Sequence, residues 1–390
     1  MIQKGYWKTV PGPRLLKLIT AVSAVAISYE GMSQGVMGAV NVAPEYGVCT
    51  AVLLSHYPPK SWNRELNRIS QLQYRMGFAD EHGNVIKPSL QGGIAAMYYF
   101  AALFGAFWAG SFSDAYGRIK GIWMACVWCL AGTILQASAV NLAHILCARV
   151  VAGVGVSFII VIAPSWTAEL APAAHRGQMI ALTFLANFGG IALSSWIGFA
   201  TSFTEYAGGA FRWRFCFACQ GIPIVFLVIG TLLIPESPRW LVKVGRNEEA
   251  FEIITKLRGD GDRDHPNVQK EIREIVAVVQ MEQESQSSSY IKMFLGIGSG
   301  DIHIGRRIQL AFWLQVLMQY GTGIAAVVIY SGNIYRTAGF DDFKSNWLSA
   351  VCMTCGILGT GIAALTLDRV GRRRTLYWGA VVLSIILFTL

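Results

Sequence analysis

Nine apolar runs set the limits on what this chain can fold into. They fall at about 15–40, 91–111, 120–140, 143–164, 178–200, 212–234, 307–330, 344–367 and 375–390. A hydrocarbon layer of roughly 30 Å is crossed by about 20 apolar helical residues, and the first eight runs reach that length. The ninth has 16 residues, stops at Leu390 and is short for a span. The runs are continuously apolar, whereas the strands of a membrane barrel alternate. Backbone groups in lipid must pair within their own segment, so the runs read as helices. The fold class is all-α, a polytopic membrane protein.

Composition supports this reading. Hydrophobic residues make up 54% of the 390 and charged residues 14%, against about 25% charged in an ordinary soluble domain. So few charges cannot cover an aqueous surface, and so apolar a chain is not disordered. The net charge of +9 does not mark a nucleic-acid binder, because the basic residues sit in short blocks between apolar runs and not on one face. The basic first 14 residues precede an apolar stretch that is long and contains Glu30, unlike a cleavable signal peptide. Cys126/Cys129, Cys216/Cys219 and Cys352/Cys355 have C-x-x-C spacing, but each pair lies in an apolar run without a nearby His. They read as small helix residues; no metal and no cofactor is expected. No N-x-S/T sequon occurs.

Orientation follows from the Lys and Arg of short loops. Lys4, Lys8, Arg14 and Lys17, then Arg118 and Lys120, then Arg176, then Arg369 and Arg372 to Arg374 fall on one side if every run crosses. That places the N-terminus in the cytosol. Two long loops remain. Residues 235–306 are polar, with helical stretches at Glu248–Leu257 and Val268–Glu284, and divide the chain into six spans and then three. The opposite loop, 41–90, has an irregular middle at about 48–73, where a translated intron is one explanation. The division is therefore a six-helix bundle over 1–234, a cytosolic helical loop over 235–306 and an incomplete bundle over 307–390.

Charges inside spans are costly and mark function. Glu30 in the first run and Arg149 at the start of the fourth stand out. No cluster of His, Asp or Glu, no Ser–His set and no P-loop suggests an enzyme.

Several phrases carry a family likeness. After the second run stands Asp114-Ala-Tyr-Gly117-Arg118, and after the eighth Asp368-Arg369-Val370-Gly371-Arg372. The fourth run ends in Glu169-Leu-Ala-Pro172, followed by Arg176-Gly177. After the sixth comes Pro235-Glu236-Ser237-Pro238-Arg239-Trp240-Leu241. Together they resemble the sugar porter family of the major facilitator superfamily, most of all fungal sugar–proton symporters. The resemblance covers nearly the whole chain except about 48–73. It implies a major facilitator fold of twelve spans, of which this chain supplies eight and part of a ninth. Two like-built halves also suit a parallel repeat around a midplane site.

The resemblance implies roles for these residues. The acid–base sets pair across helix ends when the cytosolic side closes: Glu169 with Arg176, Glu236 with Arg239, Asp114 with Arg118, with partners at Asp368 and Arg372 in the second half. Proton-coupled members face a first-span Asp with a fourth-span Arg. Here Arg149 matches the Arg and Ser33 stands in the Asp slot, while Glu30 lies three residues earlier on nearly the same face. Glu30 either takes over proton exchange, with Arg149 holding it ionised, or is a static pair or a carboxylate near the membrane edge. The sugar site departs from the family pattern. Phe184 stands where a span-five Gln is usual, and Asn187, a turn further on, is the candidate substitute. In the seventh run Gln319, Gly323 and Tyr330 match, while Tyr320, Ala325 and Ile329 do not. Sugar recognition needs amides for hydroxyls and aromatic faces for C–H surfaces, so Gln319, Asn187, Trp166 and Tyr330 are the candidate contacts.

The expected function is proton-coupled transport of a sugar or related polyol by alternating access, with the lipid bilayer as the other partner and the plasma membrane as the family default. The alternatives are a membrane sugar sensor that does not transport, or an inactive truncated transporter fragment.

Overall fold

The computed structural model describes residues 6–41, 88–172, 175–201, 203, 210–259, 261–284 and 304–389. The irregular 48–73 stretch lies outside them. All regular structure among the described residues is helical. Two compact units divide the chain: Met1–Ser237 with Val328–Arg372, and Pro238–Val327 with Arg373–Leu390.

The first unit opens with α1 (Tyr6–Thr9), α2 (Gly12–Asn41), α3 (Pro88–Tyr116) and α4 (Arg118–Ala137). It continues with α5 (Leu142–Leu170), α6 (Arg176–Thr201), α7 (Ala210–Cys219) and α8 (Gly221–Leu232). Local chemistry sets several of these ends. The Asn141 side chain accepts the His144 N–H at 2.7 Å and caps α5, and extended Ala171 before Pro172 ends it. Pro164 sits inside α5 without breaking it. Pro223 has no N–H for the Cys219 carbonyl, and the sixth run is split there: Gln220 N–H donates to the Phe217 carbonyl at 3.2 Å between α7 and α8.

Within this unit α2 lies against α6, and α5 lies against both α3 and α4. Gly31 and Gly35 let the α2 backbone touch α6; a Cβ on Gly35 would stand 2.8 Å from the Ile191 carbonyl oxygen. Without a hydrophobic force between helices in lipid, such close approach supplies the packing energy. Val36, Met37, Ile94, Ala95, Ile145 and Phe217 form a core cluster with Ile329. The outward faces carry Phe104, Phe107, Val127, Leu130 and Ile134, all exposed, as suits a surface solvated by lipid.

The seventh run is not one helix. It forms α12 (Ile304–Thr322) and α13 (Ile324–Thr337), separated by Gly323 at φ 58°. Only glycine adopts that conformation without strain. Val328 onward belongs to the first unit. So does α14 (Asp342–Val370), which packs on α6: Trp196 Nε1 donates to Thr354 Oγ1 at 3.0 Å, and the Phe188 ring lies over Gly356.

The second unit holds α9 (Pro238–Lys243), α10 (Asn247–Arg258) and α11 (Pro266–Glu284), together with α12 and nearly all of α15 (Arg372–Thr389). α10 and α11 are the two helical stretches expected in the polar loop. Ala250, Ile253 and Ile254 of α10 and Val268 and Val279 of α11 are buried. Arg258 Nε donates to Glu271 Oε2 at 2.8 Å across the two helices.

Eight described helical stretches are long and apolar enough to cross a membrane: Gly12–Gly38, Gly92–Tyr116, Arg118–Ala137, Leu142–Leu170, Arg176–Thr201, Trp213–Leu232, Gly305–Thr337 and Phe343–Thr366. They coincide with the first eight apolar runs.

Candidate functional site

Polar side chains inside the first unit gather where α2, α3, α4, α5 and α6 meet. Glu30 is 7% exposed and Arg149 is 1% exposed. They form no ion pair with each other among the described residues. Glu30 Oε1 accepts from Gln34 Nε2 at 2.9 Å, one turn along α2. Its other oxygen has no hydrogen-bond partner among the described residues, and the Asn187 amide of α6 is its neighbour across the helix contact. Arg149 turns elsewhere. Its guanidinium lies 4.7 Å from the centre of the Tyr98 ring on α3, and its Nη1 donates to Gln136 Oε1 on α4 at 3.2 Å.

In this conformation Arg149 and Glu30 therefore do not pair directly. Ser33 in the Asp slot is fully buried beside the Tyr98 hydroxyl. It offers Arg149 no charge, and Glu30 one turn earlier is bound by Gln34. Several buried atoms here lack a hydrogen-bond partner among the described residues: Tyr29 Oη, Tyr98 Oη, Gln136 Nε2 and Arg149 Nε. A dry membrane interior penalises such atoms. The set is suited to a hydrated or ligand-filled state.

The candidate sugar contacts are placed differently from one another. Asn187 is buried, with Nδ2 3.5 Å from the Ile27 carbonyl oxygen, while Phe184 is exposed. Asn187 thus faces inward and Phe184 faces out. Trp166 is fully buried. Tyr330 is half-buried, packed against the core cluster, with its hydroxyl beside Gly92. Gln319 lies in α12, in the second unit, and is exposed.

At the α4 N-terminus Arg118 is the centre of a bonded set of charges. Arg118 grips Glu169 with two hydrogen bonds, Nε to Oε2 at 3.1 Å and Nη2 to Oε1 at 2.9 Å. Its Nη1 reaches Asp114 Oδ1 at 3.0 Å and the Ser113 carbonyl at 3.2 Å. Glu236 caps α4 from a distance in sequence: Arg118 N–H donates to Oε1 at 2.6 Å and Ile119 N–H to Oε2 at 3.0 Å. Burial pushes the Glu236 carboxyl up; the backbone N–H groups of Ile119, Arg118 and Ser237 and the Arg118 guanidinium hold it down in part. Gly117 at φ 103° makes the turn that brings this together, and Gly371, its counterpart in the second phrase, has φ 88°. The expected pairings change accordingly. The Asp114–Arg118 pair is present. Glu169 pairs with Arg118 and not with Arg176, which is exposed and has no ion pair among the described residues. Glu236 binds backbone N–H groups, and Arg239 pairs with Glu282. The side chains of Asp368 and Arg372 lie outside the described residues.

Tyr98, Gln136 and Gln34 escaped the sequence reading. The signal for Gln136 was present: an amide within an apolar span is costly unless partnered. Tyr98 gave none, because an aromatic in a span is by default a packing residue.

Known proteins bear on this arrangement. Residues 20–390 match the model of the family described as Sugar (and other) transporter. An MFS-type transporter, criB, of Aspergillus cristatus is 30% identical over 299 residues, 74% of this chain and 61% of that protein. High-affinity glucose transporter 1 of Candida albicans is 29% identical over 301 residues, 77% of this chain and 53% of that one. The chain thus spans little more than half the length of these curated relatives. Among solved structures, the MFS proton:xylose symporter XylE bound to 6-bromo-6-deoxy-D-glucose superimposes with a TM-score of 0.72 at 20% identity, covering 93% of this chain and 71% of that one. The fold is that of the major facilitators, whose sugar transporters are carriers and not enzymes. The chain belongs to the Sugar (and other) transporter family and is an integral, multi-pass membrane protein.

Proposed function

We propose that this protein carries a sugar or related polyol across a membrane together with a proton, by alternating access. The observation that carries the reading is Glu30: a carboxylate buried in a membrane-spanning helix, with only the neutral amides of Gln34 and Asn187 beside it. An ionisable group at that depth is costly and is retained for function. In this reading Glu30 loads and releases the proton. Arg149, held by Tyr98 and Gln136 in this conformation, favours the ionised form when it approaches. Asn187, Trp166, Gln319 and Tyr330 contact the solute through amides and ring faces. The Arg118, Glu169, Glu236 and Asp114 network, with Arg176, Arg239, Asp368 and Arg372, governs closure of the cytosolic end. The N-terminus faces the cytosol, and the membrane is the plasma membrane.

The test is uptake of labelled sugars and polyols by a hexose-uptake-null cell expressing this chain, with the external pH recorded. Solute addition alkalinises the medium, and Glu30→Gln abolishes that change. Alkalinisation that persists in Glu30→Gln refutes the proton-carrier role. Binding of a labelled sugar without its accumulation, in cells where the chain reaches the membrane, points to the sensor reading.

A further inference from the structure

Arg149 is fully buried and forms no ion pair with Glu30 among the described residues. A guanidinium buried among spans does not stay without compensation. No carboxylate meets it among the described residues, yet it is held from two helices at once. The Tyr98 ring presents a face at 4.7 Å, and Gln136 accepts a hydrogen bond at 3.2 Å. A ring face and a neutral amide receive a cation without neutralising it, and they bind it less strongly than a carboxylate does.

We propose that Tyr98 and Gln136 are positioning residues that park Arg149 away from Glu30 while Glu30 carries its proton, and yield it once the proton has left. This rests on the reading of Glu30 as the proton carrier. A neutral carboxyl gives the guanidinium little reason to leave the ring and the amide. An ionised carboxylate in the same interior outcompetes both, because attraction between full charges is strongest where water is excluded. The strength of the parking place thereby sets how readily Glu30 ionises. Tyr98 is suited to the task, since it lies within the electrostatic reach of both Arg149 and Glu30 and its hydroxyl is beside Ser33.

The groups facing this pair are few. Gln34 on α2 and Asn187 on α6 meet Glu30. Tyr98 on α3 lies against Arg149, its neighbour Tyr99 is exposed, and buried Tyr29 on α2 is near Arg149. Helix α8 contributes no titratable residue. On α7, Arg214 stacks on Trp213, and Cys216 lies against Thr201.

The experiment is an infrared pH titration of the full chain in lipid, reading the protonated carboxyl band that disappears in Glu30→Gln. Tyr98→Leu and Gln136→Leu each free the guanidinium, and each lowers the Glu30 midpoint by about one to three pH units, the effect of an opposite charge brought close. Tyr98→Phe keeps the ring face and leaves the midpoint where it was. Gln136→Leu lies on a different helix, so the test survives if Tyr98→Leu does not fold. A purely structural role lowers the melting temperature without moving the band. A Glu30 band that titrates but does not shift in the folded Leu variants overturns the positioning role alone. If no Glu30 band titrates, the proton-carrier reading falls and this inference falls with it.

Discussion

Two charged sites in the first unit are built on opposite principles. At the α4 N-terminus, four charges have fixed opposites or fixed donors: Arg118 holds Glu169 and Asp114, and Glu236 holds two backbone N–H groups. In the bundle interior, Glu30 and Arg149 have a carboxylate and a guanidinium available and do not use each other. A charge with several bonds moves only when they break together, as opening of the cytosolic end requires. A charge resting on an amide or a ring moves at small cost. The comparison separates the frame from the moving part.

The largest effect expected from breaking the frame is at Arg118. Its side chain and that of Glu169 are each 11% exposed, so Arg118→Ala leaves a carboxylate mostly buried and uncompensated. That costs about 3–5 kcal/mol, measured as loss of unfolding free energy in bicelles. A cost near that of an exposed surface pair, under about 1 kcal/mol, would place Arg118 outside the frame. Glu236→Ala is next. It strips α4 of its cap and costs about 1–2 kcal/mol, as removal of an N-cap side chain does. Glu236→Gln keeps one acceptor oxygen and is milder, which a side-by-side melt of the two variants resolves.

The interior responds differently. Arg149→Met removes a buried cation that lacks a counter-ion. Replacing buried charge by an apolar chain of similar volume is often neutral or stabilising by about 1–4 kcal/mol. Against that stands the orphaned Gln136 oxygen, at about 1–3 kcal/mol. The two oppose each other, so Arg149→Met destabilises by less than Arg118→Ala while proton-coupled uptake is lost. Arg149→Met that destabilises as much as Arg118→Ala would erase the distinction between frame and moving part.

Much of the frame was legible in the sequence. Run length and hydropathy located eight spans, because lipid imposes one backbone solution and a minimum length. The two D-x-x-G-R phrases marked helix–turn–helix points, because a glycine with positive φ is required there. The break within the seventh run was less visible, since Gly321 and Gly323 both offered one and φ 58° fell to Gly323. Pairing partners were the least legible. Glu169 lies seven residues from Arg176 and 51 from Arg118, and in this structure it pairs with Arg118. Helix α5 ends at Leu170 and the chain turns at Pro172, so Arg176 begins a new helix, while α4, packed alongside α5, presents Arg118 to Glu169. The same holds inside the bundle: Tyr98 and Gln136 meet Arg149 only because α3 and α4 both pack on α5, a fact of helix arrangement that no local pattern encodes.

Arg176 offers the finest test of the comparison. It belongs by motif to the same phrase as Glu169, yet it is exposed and outside the bonded set among the described residues. If the frame is complete without it, Arg176→Ala changes stability by no more than about 0.5 kcal/mol, the usual range for a surface site. Its remaining role is then in closure of the cytosolic end, where a change appears in conformation and not in stability. Single-cysteine variants of this chain, labelled from either side of the membrane, read that bias. Arg176→Ala shifts the labelling ratio while the melting curve stays in place. A melting loss approaching that of Arg118→Ala would mean that Glu169 is shared between two arginines, and the line between the bonded end and the moving interior would have to be redrawn to include Arg176.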